Sequence, residues 1–138
     1  MTAHIDFRVS TVKLSRRAYT VAVAGEVDLF TGTELQEELA SLPDDVSRVL
    51  VDLSGVTFLD STGLGVLARF ATRLRARGGG VILVAGRPVR ELLSLTSLEG
   101  LFEIRDAGEE PARYLVGLSL LDSFGDVPLT GHARSLGA

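Results

Sequence analysis

The sequence predicts an α/β domain with a mixed β-sheet. Two observations carry that prediction. Short apolar runs alternate along the chain with stretches in which apolar residues recur at helical spacing, the order expected of strands joined through helices. The first two strand-like segments form a hairpin-like pair and should be antiparallel, whereas later ones are joined through a helix and should run parallel with a right-handed crossover. Composition agrees. Of 138 residues, 46% are hydrophobic and 23% charged, which is globular rather than disordered and fits a single core.

The elements follow in order. Ile5-Asp6-Phe7-Arg8-Val9 alternates apolar and polar residues, as an edge strand with one wet face does. Tyr19-Thr20-Val21-Ala22-Val23-Ala24 is apolar or small on both faces, hence a central strand, expected to end where Gly25-Glu26-Val27-Asp28 begins. Thr31-Gly32-Thr33-Glu34 fits a capping box, with the hydroxyl first and the carboxylate three residues on. Leu35, Leu39 and Leu42 continue at helical spacing until Pro43, and Glu34, Glu37 and Glu38 stay off that stripe on a solvated face.

Val49-Leu50-Val51-Asp52-Leu53 reads as a buried strand. Leu64, Leu67, Ala68, Ala71 and Leu74 form the stripe of an amphipathic helix, with Arg69, Arg73 and Arg77 on its other side. The C-terminal arginines suit the helix dipole. Gly78-Gly79-Gly80 ends the helix. These glycines are no phosphate loop, because no Lys-Ser/Thr follows and a strand comes next. Val81 to Ala85 is a continuous apolar run, hence fully buried. Pro88 starts a short helix with Val89, Leu92, Leu93 and Leu95 facing inward. Phe102-Glu103-Ile104 reads as a last strand, and Glu109 to Leu118 as a last helix with Pro111 in its first turn. From about Gly125 on, Gly125, Pro128, Gly131 and Gly137 with little periodicity indicate a loose tail.

Several function classes are disfavoured. The chain has no Cys, so neither a disulfide framework nor thiol catalysis is expected. A net charge of −4 argues against nucleic acid as the main partner. Apolar stretches such as Val81 to Ala85 are far shorter than a membrane span, so no membrane insertion is expected. The N-terminus lacks a basic segment followed by an apolar one, so a cytoplasmic protein is expected. His4 and His132 are the two histidines, both near termini, which disfavours a histidine-based metal or acid–base site. Two residues before Ser61 stands Leu59, so there is no Gly-x-Ser-x-Gly. Asp28, Asp52 and Asp60 all fall near predicted strand ends, where a Mg²⁺ cluster is conceivable but caps are commoner. No catalytic residue, metal or cofactor is assigned.

The segment Phe58-Leu59-Asp60-Ser61-Thr62-Gly63-Leu64-Gly65 is the most informative. It places two hydroxyls and a carboxylate where a strand hands over to a helix. A helix start offers unpaired N–H groups and partial positive charge, so a serine there is either a cap or a place for a phosphate. If Asp60 is the cap, the Ser61 hydroxyl is left exposed. Gly63 and Gly65 weaken the first turns, which suggests that helix stability has given way to close approach by another molecule.

Phe58 to Leu67 resembles the signature of the anti-sigma factor antagonists, the single-domain STAS proteins. Gly25-Glu26-Val27-Asp28 resembles their second short motif, at the expected distance upstream, and strand 81–85 with Pro88-Val89-Arg90-Glu91-Leu92-Leu93 also agrees. The resemblance spans about residue 5 to residue 118. It implies a STAS domain over 1–118, followed by an extension over 119–138. It implies a mixed sheet of four or five strands with helices mainly on one face. It also implies a non-enzymatic, bacterial partner-switching regulator. In such a switch an anti-sigma factor serine kinase of the GHKL ATPase type phosphorylates the serine after the aspartate, here Ser61. The unphosphorylated antagonist binds that kinase and frees the sigma factor, and a serine phosphatase resets the cycle. Thr62 is the rival phosphosite. Glu26, Asp28, Asp60, Ser61, Thr62, Gly63 and Leu64 are the implied partner-binding residues, on a monomer or weak homodimer. The alternative within the fold is a scaffold subunit of a stress-signalling complex or a lipid-transport ABC assembly.

Overall fold

The computed structural model describes residues 7–107. Along this stretch run β1 (Arg8–Ser15), β2 (Ala18–Val27), α1 (Leu29–Ala40), β3 (Arg48–Leu59), α2 (Ser61–Ala76), β4 (Gly80–Ala85), α3 (Arg87–Ser94), a 3₁₀ turn at Glu99–Leu101 and β5 (Glu103–Asp106). The five strands form one sheet in the order β1-β2-β3-β4-β5. β1 and β2 are antiparallel, and every other neighbouring pair is parallel. The sheet is therefore mixed, as the hairpin-then-crossover pattern predicts.

Period-two alternation sorts the strand residues between faces. Val21, Val23 and Val27 of β2, Val49, Val51 and Leu53 of β3, and Val81, Leu83 and Ala85 of β4 share one core. Leu35 and Leu39 of α1, Leu64, Leu67, Phe70 and Leu74 of α2, and Val89 and Leu93 of α3 belong to the same core. The three described helices thus cover one face of the sheet. A smaller apolar cluster, Ala18, Leu50, Ile82 and Val84, gathers separately. All six residues of β4 are buried, which is why its sequence is a continuous apolar run rather than an alternation.

The boundaries depart from expectation in instructive ways. Among the described residues β1 runs from Arg8 to Ser15, well past the expected end at Val9, because its length is set by pairing with β2, from Arg8 opposite Ala24 to Ser15 opposite Ala18. Ile5 and Asp6 of the expected strand lie outside the described residues. β2 continues to Val27 and β3 to Leu59, past the expected ends at Ala24 and Leu53. Register shifts between Ala22 and Ala24 and between Gly25 and Glu26 absorb the polar and glycine positions. Gly55 serves the same purpose, since a Cβ there would sit 3.0 Å from that of Ala24. The helix stripe on α2 is wider than predicted, with Val66 and Phe70 also buried.

Leu95 does not face inward. α3 ends at Ser94, and Leu95 caps it 83% exposed. The glycine run does end α2. Gly78 takes φ +84°, a conformation that favours glycine, and Gly80 opens β4 by donating to the Ser47 carbonyl at 2.9 Å. No helix among the described residues is long and apolar enough to cross a membrane. The expected helix over Glu109 to Leu118 and the tail beyond it lie outside the described residues.

Candidate functional site

Two strand-to-helix joints lie side by side at one end of the sheet. β2 and β3 are parallel, with Glu26 opposite Phe58 and Val27 opposite Leu59. In both strands the next residue is an aspartate, and each aspartate caps the following helix. Asp60 is tied to the first joint as well, since its N–H donates to the Val27 carbonyl at 3.1 Å. The Gly-Glu-Val-Asp and Phe-Leu-Asp-Ser segments are thus the same local device used twice in register.

The first cap is Asp28. Its Oδ1 accepts from the Phe30 N–H at 2.9 Å, the Thr31 N–H at 3.0 Å and the Thr31 hydroxyl at 3.1 Å. Thr31 Oγ1 in turn accepts from the Asp28 N–H at 2.8 Å. The capping box of α1 is therefore Asp28 with Thr31, three residues upstream of the Thr31–Glu34 box that the sequence suggests. The aspartate wins because its position directly after β2 lets α1 begin at once, and carboxylate and hydroxyl can each accept from the other's backbone.

The second cap is Asp60, whose Oδ1 accepts from the Gly63 N–H at 3.1 Å. That leaves Ser61 as the first residue of α2, exposed, with no hydrogen-bond partner for its hydroxyl among the described residues. Thr62 is half-buried. Its Cγ2 lies 3.3 Å from where a Cβ on Gly32 would sit, so its methyl packs against the start of α1. Gly32 lets the first turns of α1 and α2 touch.

Gly63 and Leu64 point inward. A Cβ on Gly63 would lie 2.6 Å from Leu59 Cδ1 and 2.6 Å from Val27 Cγ1. Its missing side chain admits the chain's own core, not another molecule, which corrects the expectation drawn from the sequence. Leu64 is 4% exposed and belongs to the core, so its side chain offers a partner no surface. The accessible members of the predicted set are Ser61, the half-buried Glu26, Asp28 and Asp60, and the outer side of Thr62.

Sequence pattern alone misses the apolar part of this end. Leu29, Phe30 and Phe58 are 61%, 67% and 50% exposed, and all flank the two caps in the chain. Exposed large apolar groups gathered beside polar ones mark interaction surfaces. The only available signal is local: each is an apolar residue next to or two residues from a capping aspartate. The three aspartates expected near strand ends do not converge on a metal, and Asp52 lies within β3 rather than at its end. Asp28 and Asp60 cap helices, and Asp52 Oδ1 accepts from the Ser54 N–H at 2.9 Å. Among the described residues no group of three or more His, Cys, Asp or Glu is placed to hold a metal ion.

The chain is similar to known proteins. The family model for the STAS domain matches residues 10–110. A Bacillus subtilis protein named anti-sigma-B factor antagonist is 30% identical over 100 residues, covering 71% of this chain and 91% of that protein. A crystal structure of an anti-sigma factor antagonist from Mycobacterium paratuberculosis is 30% identical, with a TM-score of 0.64 over 71% of this chain and 84% of its own. The unphosphorylated form of the anti-sigma factor antagonist SpoIIAA gives a TM-score of 0.65 over 76% of this chain and 92% of its own. At 22% identity it shows the shared fold.

Proposed function

The chain belongs to the STAS domain family, and we propose from that premise that it is an anti-sigma factor antagonist working by partner switching. Its unphosphorylated form binds an anti-sigma factor, a serine kinase of the GHKL ATPase type, and so releases the sigma factor. Phosphorylation of Ser61 blocks that binding, and a serine phosphatase restores it. The names carried by relatives that match over 84–91% of their own length support the antagonist role.

One observation supports Ser61 as the control point above the rest. Asp60 performs the capping, so the neighbouring hydroxyl is exposed and uncommitted at the start of α2. Thr62, the rival, has its methyl wedged against Gly32. A phosphate adds about −1.5 to −2 charges at pH 7. At a helix start it gains about 0.3–1 kcal/mol from the dipole. Against a partner's carboxylate about 4 Å away, at an effective dielectric near 20, each unit of charge costs about 4 kcal/mol. The domain therefore tolerates the modification while a docked interface does not.

The test is a pull-down with the cognate kinase in the presence of ATP. Ser61→Ala stays bound and Ser61→Asp is lost. Tight binding by Ser61→Asp would sink the charge mechanism. Mass spectrometry that finds phosphate on Thr62 alone would move the site.

A further inference from the structure

We propose that Arg69 is a built-in countercharge for a phosphate on Ser61, brought toward it by the missing side chain of Gly65. The proposal rests on the reading of Ser61 as a phosphorylation site. Ser61, Gly65 and Arg69 follow one another at intervals of four on α2, so they form a single stripe along the helix. Helical side chains lean toward the N-terminus, which sends the Arg69 stem up that stripe. Its Nη1 lies 3.2 Å from where a Cβ on Gly65 would sit. The guanidinium therefore rests against the backbone of residue 65, about 6 Å along the axis from Ser61.

The other arginines of this helix are engaged elsewhere. The Arg73 guanidinium stands 5.6 Å from the centroid of the Phe70 ring. Arg75 donates to the Gly100 carbonyl, and Arg77, at the C-cap, to the Asp44 carbonyl at 2.7 Å. Arg69 is exposed and has no hydrogen-bond or ion-pair partner among the described residues. A planar guanidinium with unused donors suits phosphate oxygens.

The charges around Ser61 are otherwise negative. Glu26 at the end of β2, Asp28 at the start of α1 and Asp60 before α2 bring carboxylates to this end from three elements. They oppose the dianion, and Arg69 is the cation on its own stripe that favours it.

The experiment uses the full chain with phosphoserine genetically encoded at position 61, and follows the second phosphate ionisation by ³¹P NMR. A free phosphoserine titrates near pH 6. The wild type is expected to titrate about half a unit below Arg69→Gln, the shift due to one unit charge at roughly 7 Å in a water-like dielectric. Arg69→Lys should retain most of that difference, because the charge is kept. Coincident titrations of wild type and Arg69→Gln would overturn the proposal. Circular dichroism checks that each variant is folded. No kinase is involved in this measurement. A kinase that leaves Ser61 unmodified would refute the functional reading separately, while the titration still decides the role of Arg69.

Discussion

Replacing Asp28 separates what this carboxylate does for α1 from what it does for a partner. Its Oδ1 accepts from the Phe30 and Thr31 N–H groups and from the Thr31 hydroxyl. Asp28→Ala leaves those first-turn N–H groups without the acceptor, which costs about 1 kcal/mol for a lost cap. Removing the negative charge from the helix start adds about 0.3–1 kcal/mol. Thr31 is fully buried, but its hydroxyl keeps the Glu26 carbonyl as acceptor at 2.8 Å, so the hydroxyl is not orphaned along with the N–H groups. The total is about 1.3–2 kcal/mol, or roughly 5–8 °C in Tm for a domain of this size. Asp28→Asn keeps a capping oxygen while removing the charge at the helix start, which costs about 0.5 kcal/mol. Urea unfolding followed by far-UV circular dichroism measures both. If Asp28→Ala is as stable as wild type, or Asp28→Asn is as costly as Asp28→Ala, the capping account is wrong. At a temperature where both variants are folded, a docking role for the charge predicts equal loss of anti-sigma factor binding in the two.

Phe30→Ser and Phe58→Ser should cost no more than about 1 kcal/mol of stability, since the rings are 67% and 50% exposed. If these rings anchor the partner, each weakens anti-sigma factor binding roughly tenfold or more by calorimetry, and unchanged affinity would remove them from the docking surface. Gly79→Ala should be the costliest change in the glycine run. Its Cβ would lie 1.9 Å from the Ser47 carbonyl oxygen and 2.7 Å from its carbon, and displacing backbone costs about 3 kcal/mol. Gly78→Ala meets nothing within 4 Å and bears only its φ of +84°, about 1 kcal/mol. Urea midpoints in the reverse order would refute the assignment. Leu83→Ala should cost about 2–5 kcal/mol and Leu95→Ala less than about 0.5, because the first is fully buried and the second 83% exposed.

Residues with one dominant role are legible from sequence. β4 is read from Val81 to Ala85 because burial on both faces leaves no polar position. α2 is read from its apolar stripe, and Asp60 from its place before that stripe. What escapes is decided across the sheet. Ser10 to Ser15 looks polar because β1 is an edge strand, and its extent comes from β2. The far half of β3 carries Ser54 and Gly55, which look like a stop until the register shift in β2 accommodates them. The cap of α1 is misplaced because Thr31 is a plausible cap on its own and becomes the reciprocal partner only once Asp28 follows a strand that reaches Val27. Phe30 and Phe58 are 28 residues apart in sequence, and only the Glu26–Phe58 register brings their segments to one end.

The two glycines after Ser61 read alike in sequence, as room for another molecule. The structure separates them, and with them the internal from the external consequences of a phosphate. Gly63 is packed against Val27 and Leu59, so the first turn of α2 is fixed from beneath. Asp60 caps that turn, so it does not depend on the serine hydroxyl. Modifying Ser61 therefore breaks no hydrogen bond within the described residues and opens no cavity. The first turns of α1 and α2 also touch at Gly32 and Thr62, which leaves little freedom for a local rearrangement to spread. A phosphate added to this packed joint would then act through its charge on whatever lies outside the domain. Gly65, by contrast, lies on the exposed stripe and leaves a path for Arg69. On the proposed reading, the switch would be a change of surface potential on an unchanged fold, set by which carboxylates and which arginine share that end of the sheet.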